Sequence, residues 1–125
     1  MAVQSMDKQV LKNINRDNIS EESMMALAPT IKESGLQTHA EVILGLPGDS
    51  YESHLYTIKT LLNANIDEIL VFTCMLLPGS EMFSQQERKR FGLKTKHRIL
   101  PRDFAKLSNK KIVLETEEVV VSTEK

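Results

Sequence analysis

Glu41, Gly45 and Gly48 share one short stretch, Glu41-Val42-Ile43-Leu44-Gly45-Leu46-Pro47-Gly48-Asp49-Ser50, in which an apolar run closes on Pro-Gly. Such a stretch reads as a strand and its turn. In parallel α/β proteins, ligands meet the C-terminal ends of strands and the loops that follow. The two-residue period puts Glu41 on the same strand face as Ile43 and Gly45, with Val42 and Leu44 on the other. A carboxylate pointing inward from that face needs a cation or hydrogen-bond donors, whereas one at the open bottom of the strand is simply solvated. Both readings of Glu41 stand on the residues alone. Glycines at 45 and 48 leave room for a flat ligand against the backbone, or merely for a strand-to-helix turn. The stretch lacks the Lys and the glycine spacing of a phosphate loop, which argues against a nucleotide triphosphatase.

Other chemistry-bearing residues are isolated. Cys74 is the single cysteine, so no internal disulfide and no cysteine-based metal site can be completed from this chain. It sits in an apolar run without a nearby His or Lys and reads as a small buried hydrophobe rather than a nucleophile. His39 shares the face of Glu41, and His54 and His97 have no partner at a recognisable spacing. Met24-Met25 reads as core rather than as a thioether site.

Three strand ends must position these residues: Gln4-Ser5, Gly45 to Gly48, and Thr73 to Gly79. They are expected side by side. Ala2 to Gln4 is the end of a strand, turning at Ser5-Met6-Asp7. A short helix is expected over Asp7 to Asn13, with Met6, Val10, Leu11 and Ile14 inside. Ser20 is an N-cap with Glu21 and Glu22 after it, and Met24, Leu27, Ala28 and Ile31 form an apolar stripe that Gly35 ends. Pro29 predicts a kink or break within it. A buried strand over Thr38 to Leu46 is followed by a helix to about Ala64. Its capping box is Asp49 with Glu52, and its inner face Tyr51, Leu55, Ile58 and Leu62. A second apolar strand, Ile69 to Leu77, completes the alternation. Ser80 would cap a helix over Glu81 to Arg90, ended by Gly92. Beyond it, Ile112-Val113-Leu114 and Val119-Val120-Val121 read as strands, and Glu115 to Glu118 as either strand or helix start. The fold class is therefore α/β: a partial (β/α) barrel of about three parallel βα units over residues 1–92, with a mixed C-terminal extension over 93–125.

Composition sets the outer bounds. The chain has 125 residues, 41% hydrophobic and 26% charged with no Trp, an ordinary soluble balance. Its longest apolar stretch is far too short for a bilayer and its start is unlike a signal peptide, so no membrane role and a cytoplasmic location are expected. The net charge of -1 conceals asymmetry, because ten of the sixteen Lys and Arg fall between Arg88 and Lys111, where Asp103 is the only acid. That segment is either a solvated basic surface or a contact for nucleic acid or another acidic partner, although only Phe91 and Phe104 supply aromatics there. A non-catalytic α/β binding module using residues 88–111 is the alternative to an enzymatic role.

Val3-Gln4-Ser5-Met6-Asp7, then Leu11-Lys12-x-Ile14-x-Arg16-x-Asn18, then Glu41 to Ser50, and finally Val71-Phe72-x-x-x-x-Leu77-Pro78-Gly79-Ser80 together resemble the second half of the radical S-adenosylmethionine (radical SAM) core. The resemblance covers roughly residues 2–92 in order and spacing. It implies strands four to six of a six-stranded partial barrel, without the Cys-x-x-x-Cys-x-x-Cys loop that holds the family's [4Fe–4S] cluster. It further implies that Gln4 and Arg16 hold the SAM ribose or carboxylate and that Glu41 takes the acidic position facing SAM, often Asp in the family. Ile43 and Gly45 would line the adenine, and Met75 would touch it from the sixth strand. No residue of this chain is implied to be catalytic or to bind metal, so the chain alone would be inactive. The parent would be a radical SAM oxidoreductase or methyltransferase using SAM and a [4Fe–4S] cluster. The tail, His97 to Phe104 with Glu115 to Val121, is similar to members that also bind cobalamin. The implied partners are the missing N-terminal half of the barrel, a substrate left unnamed, and further copies of the chain at exposed strand edges.

Overall fold

The computed structural model describes residues 1–123, apart from the side chains of residues 101, 103 and 104, among them the aromatic ring of Phe104. Within them lie a parallel three-stranded sheet with its helices and an antiparallel two-stranded sheet, a mixed α/β chain that divides into two compact units, Met1–Thr73 and Cys74–Lys125.

In the first unit the sheet order is β1-β2-β3, with β1 Ala2–Gln4, β2 His39–Leu44 and β3 Glu68–Thr73 all parallel. Between β1 and β2 come α1, Lys8–Asn13, and α2, Glu21–Glu33, and α3, Tyr51–Asn63, joins β2 to β3. Each start is set by a side-chain cap. Asp7 accepts from the N–H groups of Gln9 and Val10 at 2.8 and 2.9 Å, and Ser20 accepts from Ser23 N–H at 3.1 Å. Helix α2 runs unbroken through Pro29, against the expected break. Of its expected stripe only Met24 is buried, and Leu27 is about half exposed.

Helix α3 corrects the sequence reading twice. Its N-cap is Ser50, in a reciprocal box with Ser53, rather than Asp49 with Glu52. Its buried residues are Thr57, Thr60 and Leu61, whereas Tyr51 is 76% exposed and Leu62 is also exposed. The reason is a polar one. Thr57 Oγ1 accepts from the Met6 N–H at 2.9 Å and donates to the Ser53 carbonyl at 3.1 Å, so a hydroxyl is wanted inside where hydrophobicity alone selects a neighbouring face. The core comprises Val3, Met6, Met24, Ala40, Val42, Leu61 and Ala64, which leaves Glu41 and Ile43 on the opposite sheet face.

Strand β3 is shorter than the Ile69 to Leu77 expected and is not buried: Val71 is 49% and Phe72 50% exposed. It ends the sheet, with β2 as its sole partner among the described residues.

In the second unit a 3-10 turn, Glu81–Phe83, precedes α4, Gln85–Arg90, so the expected single helix is split. Ser84 is the working cap, accepting from Glu87 N–H at 3.2 Å, and Ser80 makes no side-chain cap bond. Strand β4, Leu93–Lys106, then pairs antiparallel with β5, Ile112–Thr123. Glu115 to Glu118 lie inside β5 and start no helix. Arg88 explains why this stretch holds together: it grips Glu118 through both terminal guanidinium nitrogens, lies 4.9 Å over the Phe83 ring, and donates from Nε to the Phe83 carbonyl at 3.0 Å.

Candidate functional site

The C-terminal end of β1 is the most unusual place in the backbone. Ser5 N–H donates to the Val3 carbonyl at 2.8 Å, closing a three-residue turn on Gln4, whose φ is +57°. A non-glycine residue held at positive φ costs about 1–3 kcal/mol and persists only where its surroundings fix it. Those surroundings are explicit. Asn18 Nδ2 donates to the carbonyls of Val3 at 2.5 Å and Ser5 at 2.8 Å, and the buried Ser5 hydroxyl accepts from Asp7 N–H at 3.1 Å. The side chain delivered by this turn is equally unusual. Gln4 Oε1 is shut off from solvent and is the buried side-chain polar atom without a hydrogen-bond partner among the described residues. A buried amide oxygen left unpaired forfeits about 1–3 kcal/mol, which a donor on a bound molecule would restore.

Beside it, Gln4 is in register with Val42, and Ala2 with Glu41. Glu41 and Ile43 are half-buried on the face away from the core, in register with Leu70 and Phe72 of β3. By the same register this face carries His39 with Glu68 at one end, Glu41 with Leu70 in the middle, and the apolar pair Ile43 with Phe72 at the other end. Past the end of β2, Gly45 has φ +86° and its N–H points to Asp49 Oδ2 at 3.3 Å. Asp49 N–H donates to the Leu46 carbonyl at 2.8 Å, making Leu46 to Asp49 a turn with Pro47 second and Gly48, φ +80°, third, as a type II turn requires. Here the sequence reading needs correcting: the space a Cβ on Gly48 would fill holds Asn13 Nδ2, 2.5 Å away, so the glycine admits a protein amide rather than a flat ligand. Asn13 donates to the Pro47 carbonyl at 2.9 Å, tying α1 to this loop.

Arg16 is exposed and stands at the outer edge of β1, donating from one guanidinium nitrogen to the Ala2 carbonyl at 2.9 Å. It lines a groove of about 750 Å³ with Leu11, Lys12, Asn18, Glu21 and Tyr56, a groove that Gln4, Glu41 and Ile43 do not reach. The structure therefore places Glu41 and Ile43 on one face of β2, with Gly45 just past its end and Gln4 at the end of the neighbouring strand in register with Val42, and Arg16 on the flank. Met75 lies in the second unit, bridged to Val119. Asn13, Asn18 and Thr57 shape the site but carry no obvious chemistry in the sequence. Their one signal is an amide or hydroxyl placed close in sequence to turns of positive φ or facing them across the fold.

Among the described residues no three His, Cys, Asp or Glu side chains cluster as a metal site, and Cys74 is buried. No helix among them is long and apolar enough to cross a membrane. The basic segment is partly neutralised within its own unit, since Arg88 pairs with Glu118, Arg98 with Glu117 and Arg90 with Glu87. The Arg88 guanidinium, helped by the Thr95 hydroxyl, holds the Glu118 carboxyl down at about 2.

No family model matches the chain. Curated relatives do. Cobalamin-dependent radical SAM methyltransferase TokK of Streptomyces tokunonensis is 30% identical over 96 residues, which are 76% of this chain and 14% of that protein. The 2-(S-pantetheinyl)-carbapenam-3-carboxylate methyltransferase of Streptantibioticus cattleyicolor is 33% identical over 96 residues, with the same coverage of 76% and 14%. Oxygen-independent coproporphyrinogen III oxidase of Escherichia coli is 35% identical over 79 residues, 62% of this chain and 17% of the oxidase. The chain thus spans less than a fifth of the length of each of these three relatives. These likenesses support the radical SAM superfamily at the level of distant homology.

Proposed function

We propose that this chain is the C-terminal half of a radical SAM core, a partial (β/α) barrel whose other half, carrying the cluster cysteines, completes the site. The observation that carries the reading is Gln4: a strained turn at a strand end presents a buried, unpartnered amide oxygen at the position the sequence pattern assigns to SAM. The residues fit such a ligand. Gln4 Oε1 accepts a hydrogen bond from a ribose hydroxyl or the ammonium of the methionine part. Glu41 faces SAM from the neighbouring strand, and Ile43 with Gly45 forms the surface against the adenine. Arg16 keeps further N–H donors for the carboxylate beyond the one given to Ala2.

They do not fit the [4Fe–4S] cluster, since one buried thiol cannot replace three thiolates. In the longer protein, SAM held by Gln4, Arg16 and Glu41, with a cluster bound by the other half, would supply radical hydrogen-abstraction chemistry toward the substrate. This chain's own part is to orient SAM and keep water from it, and alone it is inactive. The two methyltransferase relatives favour methyl transfer, and the cobalamin-dependent one supports cobalamin as a further cofactor; the same reading places the enzyme in the cytoplasm.

The test is SAM affinity and 5′-deoxyadenosine yield in the longer, cluster-loaded protein carrying Arg16→Lys or Glu41→Ala. Loss of one charged contact costs about 1.5–3 kcal/mol, so affinity falls roughly ten- to a hundredfold while circular dichroism stays unchanged. Variants that bind and cleave SAM like the parent overturn the assignment of these residues.

A further inference from the structure

Gln4 is held in its strained turn from outside the strand, and the holding contact has an uncommon form. Asn18 Nδ2 donates to the Val3 carbonyl at 2.5 Å and to the Ser5 carbonyl at 2.8 Å, one on each side of Gln4. A primary amide nitrogen carries two N–H donors, so a single atom clasps both ends of the turn. Ser or Thr would bring one donor, and an ionised Asp none. The other side-chain supports act after Gln4: the Ser5 hydroxyl accepts from Asp7 N–H at 3.1 Å, and Thr57 Oγ1 accepts from Met6 N–H at 2.9 Å.

Asn18 stands half-buried in the loop between α1 and α2, and that loop has anchors of its own. Arg16 N–H donates to the Leu11 carbonyl at 3.0 Å, and the Arg16 guanidinium to the Ala2 carbonyl at 2.9 Å. Removing the Asn18 amide therefore frees the turn rather than the loop. A non-glycine residue at φ +57° relaxes toward negative φ unless its surroundings hold it. Because φ sets the direction of the Cα–Cβ bond, such relaxation carries Gln4 Oε1 out of the place where it is buried without a partner.

We infer that Asn18 is a positioning residue for ligand recognition, acting through Gln4 by holding the one conformation that presents Oε1. The inference rests on the reading of Gln4 as a SAM contact. Apparent affinity scales with the fraction of chains in the competent conformation, so loss of the clasp weakens SAM binding although the Gln4 amide is still in the chain.

Two measurements test it. In the ¹⁵N-labelled chain, Gln4 shows the strong intraresidue contact between amide and α protons that a positive φ produces, and Asn18→Ala loses it while circular dichroism keeps the folded spectrum. In the longer, cluster-loaded protein, Asn18→Ala weakens SAM binding roughly five- to thirtyfold. Added to Gln4→Ala it weakens binding no further, because residues that act through one another are not additive. A Gln4 that keeps its positive φ in Asn18→Ala overturns the inference. So does parental SAM affinity in Asn18→Ala, or a loss undiminished in the Gln4→Ala background, which is the mark of a merely structural residue. Gln4→Ala with parental affinity overturns instead the reading of Gln4 as a SAM contact, and the positioning role falls with it. If Asn18→Ala does not fold, Asn18→Ser, whose one donor cannot span both carbonyls, decides by the same readings.

Discussion

Gln4 combines two costs that a folded chain normally avoids, a positive φ and a buried acceptor without a donor. If the amide exists for a ligand, the chain without that ligand is better off when it is gone. Gln4→Met keeps the side-chain length and removes the orphan, and is expected to raise unfolding free energy by about 1 kcal/mol in urea denaturation. A loss of stability of that size shows instead that the amide has a structural partner. That Glu41 and Ile43 share a strand face, with Gln4 at the end of another strand, was legible in sequence because the two-residue period and the turn after Gln4 hold whatever the packing. Their supports were not. Nothing in the residue types of Asn13, Asn18 or Thr57 says which backbone carbonyl or N–H, up to about fifty residues away, their side chains meet.

At the scale of elements, the alternation of strand and helix was readable from apolar runs and caps, and most starts agree within a residue or two. Faces were harder, since a helix face is decided by what it touches. In α3 the deciding contact is the Thr57 hydroxyl on the Met6 N–H. Thr57→Val should therefore cost about 1–3 kcal/mol despite adding apolar surface. Gly48→Ala should cost about 1 kcal/mol or more, because φ +80° excludes an L side chain and the Asn13 amide must give way. Adding Asn13→Ala recovers the steric part only. Chemical denaturation of the single and double variants checks both. The long hairpin of the second unit was missed over β4, where Lys94, Lys96 and Arg98 alternate with the polar Thr95 and His97, so no apolar period marks the strand. Its tie, Arg88 to Glu118, predicts a pH dependence. A carboxyl held at about 2, below its usual 4.5, contributes stability that is complete above about pH 4.5 and lost as pH falls toward 2. Glu118→Gln should flatten the urea midpoint of that unit across this window, and an unchanged slope contradicts the role of the pair.

At the scale of the whole molecule, the chain is two compact units and less than a fifth of the length of the three relatives named above, and its parallel sheet presents Glu41 beside Leu70, Ile43 and Phe72 on the face away from the core. Anaerobic reconstitution of the chain with iron and sulfide should yield no stoichiometric cluster, since Cys74 is its single thiol. SAM recognition is the central claim, and titration of the ¹⁵N-labelled chain with SAM, followed by amide chemical shifts, tests it most directly. The account predicts weak, saturable shifts at Gln4, Glu41, Ile43 and Gly45 that disappear in Gln4→Ala. Shifts confined to residues 88–111, or none at the β1 and β2 strand ends at the highest SAM concentration, would contradict it.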